Sequence, residues 1–70
     1  MTGEEWVAAF AAELGVAPPD AATVEVLLNL AGAAAHASER TAAPIACYLV
    51  GLVGADPAVA LAAAEEVPAS

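Results

Sequence analysis

The amino-acid sequence predicts an all-α fold, a compact bundle of four short helices at about residues 3–14, 23–38, 42–54 and 57–67. Apolar residues recur along most of the chain with the 3.6-residue period of a helix. Capping residues, prolines and glycines interrupt that pattern between the predicted helices. Because the chain has only 70 residues, we expect a single helical domain, residues 1–70, with a thin hydrophobic core.

The first predicted helix begins at Thr2. Thr2 and Glu5 have the spacing of a capping box, in which each side chain accepts a hydrogen bond from the backbone N–H of the other residue. Gly15 suits the left-handed position at which many helices end. One arc of about 100° on this helix collects its large apolar residues, which are Trp6, Val7, Phe10 and Leu14.

The second predicted helix follows a connector that contains Pro18 and Pro19, which cannot continue a helix. Either Asp20 or Thr23 can cap it. Apolar residues cover more than half of its circumference. Its polar residues form one narrow stripe, which Arg40 joins if the helix extends far enough: Glu25, Asn29, His36 and Arg40.

The third predicted helix has Thr41 as its N-cap, and Pro44 falls in its first turn, where no intrahelical donor is lost. One side is large and apolar, and the opposite side is small and includes Cys47 and Gly51. A helix that is apolar nearly all round is typical of a buried position. We therefore expect the third helix to be central, with another helix crossing it at Cys47 and Gly51.

The fourth predicted helix begins with Asp56 as N-cap and Pro57 at the first helical position, and it ends near Val67. It has few large apolar residues, so we expect it to be the weakest element. The apolar faces of the first three helices together predict a core of Val7, Phe10, Leu14, Leu27, Leu30, Ile45, Leu49 and Leu52.

Composition limits the partners of this chain. Arg40 is the one basic residue against nine acidic ones, and a net charge of −8 repels the phosphates of nucleic acids. Hydrophobic residues make up 61% of the chain and charged residues 14%, so part of the surface must be apolar. An exposed apolar patch indicates an interface, and the partner would be another protein or a second copy of the chain in a homodimer. The alternative is that the apolar excess reflects abundant alanine, which is only mildly apolar, and marks no interface.

The segment 41–64 carries one charge in 24 residues, which is long enough for a membrane helix. Asp56 and Pro57 lie within it, however, and a central Asp is costly in a bilayer. The acidic start of the chain also lacks the positive charge of a secretory signal. We expect two helices here rather than a membrane span, and a cytoplasmic protein.

Few residues suggest chemistry. His36 is the one side chain whose ordinary pKa lies near neutrality, and no nucleophile or metal-ligand spacing accompanies it, so we expect neither an enzyme nor a cofactor or metal site. Cys47 is expected to be a small buried hydrophobe. The candidate interaction residues are the polar stripe, its neighbour and an aromatic anchor: His36, Arg40, Asn29, Glu25, Glu39 and Trp6. An ordinary solvated face is the favoured interpretation of the stripe, and a core position is the favoured interpretation of Trp6.

One stretch resembles a known family. Its most specific part consists of His36, Glu39, Arg40, Ala43, Pro44, Tyr48 and Gly51, in the pattern AH…ER.AAP…YLVGL. It resembles a small helical domain of high-GC bacteria, with a tryptophan near its start, here Trp6. In that family the domain stands alone or follows a molybdenum-cofactor guanylyltransferase-like domain. Asn29 and Gly32 depart from the family, which commonly has Asp and a basic residue there.

The resemblance implies a context in molybdopterin guanine dinucleotide biosynthesis or molybdoenzyme maturation, and no mechanism. Three functions follow from the sequence. The first is a non-catalytic accessory module that docks on a protein partner through apolar faces and the edge formed by His36 and Arg40. The second is a homo-oligomeric structural protein. The third, with less support, is a small-ligand-binding domain using His36 and Arg40.

Overall fold

A computed structural model describes residues 1–69. In that range the chain forms four α-helices and no β-strand, which confirms the predicted small all-α bundle. The helices are α1 (Gly3–Leu14), α2 (Ala21–Ala37), α3 (Ala42–Val53) and α4 (Pro57–Glu65).

The predicted caps of α1 and α4 are present. The Thr2 hydroxyl accepts from the Glu5 N–H at 3.1 Å, and the Thr2 N–H donates to Glu5 Oε1 at 2.8 Å. Gly15 then ends α1 with a φ of 78°. At the start of α4, the Val59 N–H donates to Asp56 Oδ2 at 3.3 Å. These ends were predictable because each depends on residues within four positions of one another.

Helix α2 starts earlier and stops earlier than predicted. Asp20, not Thr23, is the N-cap, and its Oδ1 accepts from the Thr23 N–H at 2.8 Å. At the other end, Ser38 leaves the helical region with φ −141° and ψ −98°. Its hydroxyl donates to the Ala34 carbonyl at 2.8 Å. The chain therefore turns out of α2 before it reaches Arg40.

Thr41 occupies the predicted N-cap position of α3, but its side chain makes no capping bond. The Thr41 hydroxyl instead donates to Glu39 Oε2 at 3.4 Å. Gly54 ends α3 with a φ of 66°. Helix α4 ends at Glu65, two residues before the predicted end near Val67.

The central helix is α2, so the prediction that the third helix is central was wrong. Both α3 and α4 pack on α2, which is the longest helix at 17 residues. No helix crosses α3 at Gly51, because a Cβ added there would meet no neighbouring atom of the described chain within 4 Å. Cys47 is half-buried. Within residues 1–69, α1 packs much less closely on the other helices.

Helix α3 is covered mainly on its small side, whereas the prediction had both of its sides covered. Its half-buried residues are mostly small: Ala42, Ala43, Ala46, Cys47 and Val50. Its large residues on the opposite side are exposed. Both sides of α3 are apolar, so hydrophobicity alone does not select the inward one. Packing the small side inward gives a closer approach to α2, because interaxial distance depends on side-chain size.

The resulting core is much thinner than predicted. Among the hydrophobic residues of the described chain, two are buried, Ala11 at 6% exposure and Leu30 at 2%. Of the eight predicted core residues, Leu30 is buried and Leu27 is half-buried. The other six are exposed, which corrects the prediction: Val7, Phe10, Leu14, Ile45, Leu49 and Leu52. An amphipathic pattern shows which side of a helix is apolar, and it does not show that another helix covers that side.

Candidate functional site

The polar stripe predicted on the second helix is only partly formed. Glu25, Asn29 and His36 lie on α2 and are exposed. Arg40 lies beyond the end of α2, where its carbonyl accepts from the Ala43 N–H at 3.2 Å. The prediction that these four residues share one helical arc was therefore wrong for Arg40.

His36 and Arg40 are both exposed, as predicted. Within residues 1–69, neither side chain forms a hydrogen bond or ion pair. Glu39, also exposed, accepts the hydroxyl hydrogen bond of Thr41. In this part of the chain, the structure thus gives the His36 side chain no hydrogen-bonding or ion-pair partner that could support catalysis. Whether these residues bind a partner stays a prediction.

An apolar groove of about 480 Å³ lies between α2, α3 and α4. Its walls include Leu30, Leu49 and Val67, and several alanines complete them. The one polar side chain in its wall is Ser38, whose hydroxyl proton is already donated to the Ala34 carbonyl. This groove suits an apolar side chain rather than a charged ligand, and none of the predicted site residues lines it.

A second groove of about 590 Å³ separates α1 from the start of α2. Val7, Pro18, Val24 and Leu28 contribute to its walls, with Glu4 as the charged residue. This groove is where a closely packed α1 would have covered α2. Val7 lines this groove and is 42% exposed, whereas Trp6 and Phe10 lie outside it.

The aromatic residues of α1 form an exposed pair. Trp6 stacks on Phe10 with ring centroids 5.1 Å apart and an interplanar angle of 30°. Trp6 is 55% exposed and Phe10 48% exposed. Together with Val7 and Leu14, which are also exposed, they form what we call the α1 face.

Helix α3 carries a second exposed apolar surface, which we call the α3 face. It consists of Ile45, Tyr48, Leu49 and Leu52, each more than half exposed. No charged residue occurs between Thr41 and Ala55, so this face lies in an uncharged segment. Sequence reasoning found these residues and assigned them to the core. The signal that could have placed them outside is the small apolar stripe on the other side of the same helix.

Within residues 1–69, the carboxyl groups of Glu5 and Asp20 have lowered pKa values, and both belong to helix caps. The Thr2 backbone N–H holds the pKa of Glu5 below its ordinary value, and the Thr2 hydroxyl adds to the effect. The Thr23 backbone N–H, followed by the Thr23 hydroxyl, does the same for the pKa of Asp20. Hydrogen bonds to the charged form of a carboxyl group favour that form. These shifts describe helix ends and do not mark a catalytic group.

Within the described range, no group of three or more His, Cys, Asp or Glu side chains is placed to hold a metal ion. None of the helices in residues 1–69 combines the length and the apolar character needed to cross a membrane.

Comparison with known proteins identifies the family of this chain and does not identify its function. No curated protein and no solved structure matches the chain significantly. The chain belongs to the family described as Domain of unknown function (DUF6457), whose sequence profile matches residues 1–70.

Proposed function

We propose that this chain is a non-catalytic helical accessory module that docks on another protein through the α1 face. The observation that carries this proposal is the exposed, stacked pair of Trp6 and Phe10. Tryptophan is enriched among the residues that dominate binding energy at protein interfaces. An exposed aromatic pair also loses little conformational freedom on binding, because stacking already restrains both rings.

The grooves support a protein partner over a polar small molecule. The groove between α2, α3 and α4 has apolar walls, and its Ser38 hydroxyl proton is already used. A ligand site built on His36 and Arg40 has less support, because Arg40 lies beyond the end of α2. An apolar surface is instead suited to the large side chains of a protein.

Charge indicates the kind of partner surface. Glu13 lies beside Trp6 and Phe10, with which it lines a shallow pocket. Glu4 and Glu5 add negative charge in the first turn of α1, and the whole chain has a net charge of −8. An apolar patch with an acidic rim is complementary to an apolar patch with a basic rim, which increases the rate of association. We therefore expect a partner with lysines or arginines around its binding site, in the cytoplasm.

The family resemblance gives the partner a context. A domain that is found alone or behind a molybdenum-cofactor guanylyltransferase-like domain is suited to binding such an enzyme in trans. The proposed partner is therefore a guanylyltransferase-like nucleotidyltransferase of molybdopterin guanine dinucleotide biosynthesis, or a protein that matures molybdoenzymes.

The test uses Trp6, the single tryptophan of the chain, as a probe. We would titrate a purified guanylyltransferase-like protein from the same genome into the chain and record tryptophan fluorescence. The emission of that protein alone is subtracted at each point. We expect a blue shift of Trp6 emission, and calorimetry should give a Kd that Phe10→Ala raises by about 30-fold, the size of a hot-spot effect. The control is Val59→Ala, at an apolar residue on α4 that is 65% exposed, against 48% for Phe10. Equal loss in both variants would contradict docking through the α1 face.

A further inference from the structure

The chain exposes more surface than a folded monomer of its size should. Its accessible surface is 5212 Å² for a mass of 6.8 kDa. A globular monomer of that mass exposes about 4,000 Å², so the excess is about 1,200 Å². The radius of gyration, 12.5 Å, also exceeds the value of about 11 Å typical of 70 residues. Of the 14 exposed large hydrophobic residues in the described part of the chain, eight lie on the α1 and α3 faces.

The α3 face is symmetric along its helix. The midpoint of the α3 face lies between Tyr48 and Leu49, and Ile45 and Leu52 lie at equal distances on either side of it. A two-fold axis through that midpoint places each large residue of one helix opposite a large residue of an antiparallel second helix. Such self-complementarity is the requirement of a two-fold symmetric interface.

We propose that the α3 face is the two-fold interface of a homodimer, in which α3 packs antiparallel on α3 of a second copy. An interface that covers half of the excess surface, about 600 Å² on each copy, would bury about 1,200 Å² in total, which reaches the range of specific interfaces. This inference goes beyond the proposed function and does not depend on it.

Charge favours a second copy over a charged partner at this face. The α3 face lies in an uncharged segment, so it offers nothing to a basic or acidic surface. Arg40 and Asp56 flank that segment on either side. The antiparallel arrangement brings Arg40 of each copy to the same end as Asp56 of the other. The one basic side chain of the sequence and a carboxylate of the other copy therefore lie at the same end of the proposed interface.

Sedimentation equilibrium of the full chain tests the proposal. We expect a mass of twice 6.8 kDa at high concentration and a monomer for Leu49→Glu, which places a charge beside the two-fold axis. Val59→Glu adds the same charge at a similarly exposed site on α4 and should stay dimeric. A monomeric wild type would overturn the proposal, and so would a dimer that Leu49→Glu leaves intact.

A cross-linking measurement decides the matter if circular dichroism shows that Leu49→Glu does not fold. In a Cys47→Ser background, Leu49→Cys places two thiols beside the proposed axis, and mild oxidation should join them within the dimer. Val59→Cys in the same background is the control and should not be joined. Equal joining of both variants would overturn the antiparallel interface. If the chain proves to be a monomer, the outcome of the Trp6 titration does not change. The homodimer proposal and the proposed function can therefore be rejected independently.

Discussion

The open space around Gly51 predicts how a substitution there changes the stability of the chain. Because nothing within 4 Å opposes an added Cβ at Gly51, we expect Gly51→Ala to stabilise the chain by about 0.5–1 kcal/mol through helix propensity. A melting experiment should show a rise of a few degrees. Gly15→Ala is the matched control and should lower the melting temperature, because its φ of 78° disfavours any Cβ. A lower melting temperature for Gly51→Ala would indicate a helix crossing at that site.

Glu5 makes the stability of α1 depend on pH. Its pKa is lower in the folded chain, so its contribution is present above the ordinary pKa of glutamate and is lost as the pH falls through the folded pKa. We therefore expect wild type to be more stable than Glu5→Gln at pH 7 and equally stable at about pH 2.5. Urea unfolding of both proteins at the two pH values measures this. A difference that persists in acid would contradict the carboxylate cap.

At the scale of the element, the capped starts of helices were predictable, and the end of α2 and the orientation of α3 were not. Caps at Thr2, Asp20 and Asp56 depend on a side chain and an N–H three residues apart, which the sequence displays directly. The orientation of α3 depends on which neighbour covers which side, and both of its sides are apolar. The position of Arg40 was missed because Ser38 ends α2 without a glycine or proline to mark the end.

The start of α4 gives a prediction for one element. Asp56→Ala removes the acceptor of the Val59 N–H, and we expect a loss of about 1 kcal/mol together with part of the helical dichroism. Asp56→Asn should keep the cap, since asparagine caps equally well. If alanine and asparagine behave alike, the hydrogen bond at this end does not hold α4.

For the whole molecule, stability depends on a very small buried core. Leu30 is 2% exposed at the middle of α2, and its truncation to alanine should cost about 2–5 kcal/mol. A domain of this size has only about 3–5 kcal/mol to lose, so Leu30→Ala should be largely unfolded by circular dichroism. Leu28→Ala, on the same helix but 67% exposed, should stay folded. Comparable losses in both would mean that Leu28 is covered in solution.

The sequence predicts that the chain exposes an apolar surface, and it does not predict which helices carry that surface. A chain that is 61% hydrophobic and 14% charged must expose apolar groups. Trp6 was one of the candidate interaction residues, although a core position was favoured for it. The α3 face was not identified, because its residues have the pattern of core residues. Core and interface residues share the same chemistry, and only the presence or absence of a covering element distinguishes them.

The central claim is that this chain completes its apolar packing only by binding another polypeptide, in the simplest case itself. Thermal unfolding of the purified chain at about 5 and 500 μM tests it most directly. Binding that stabilises only the folded form makes the melting temperature rise with concentration, by on the order of 5–10 °C over this range. A high melting temperature that does not change with concentration would show that the monomer is stable with both faces exposed, and would contradict the account.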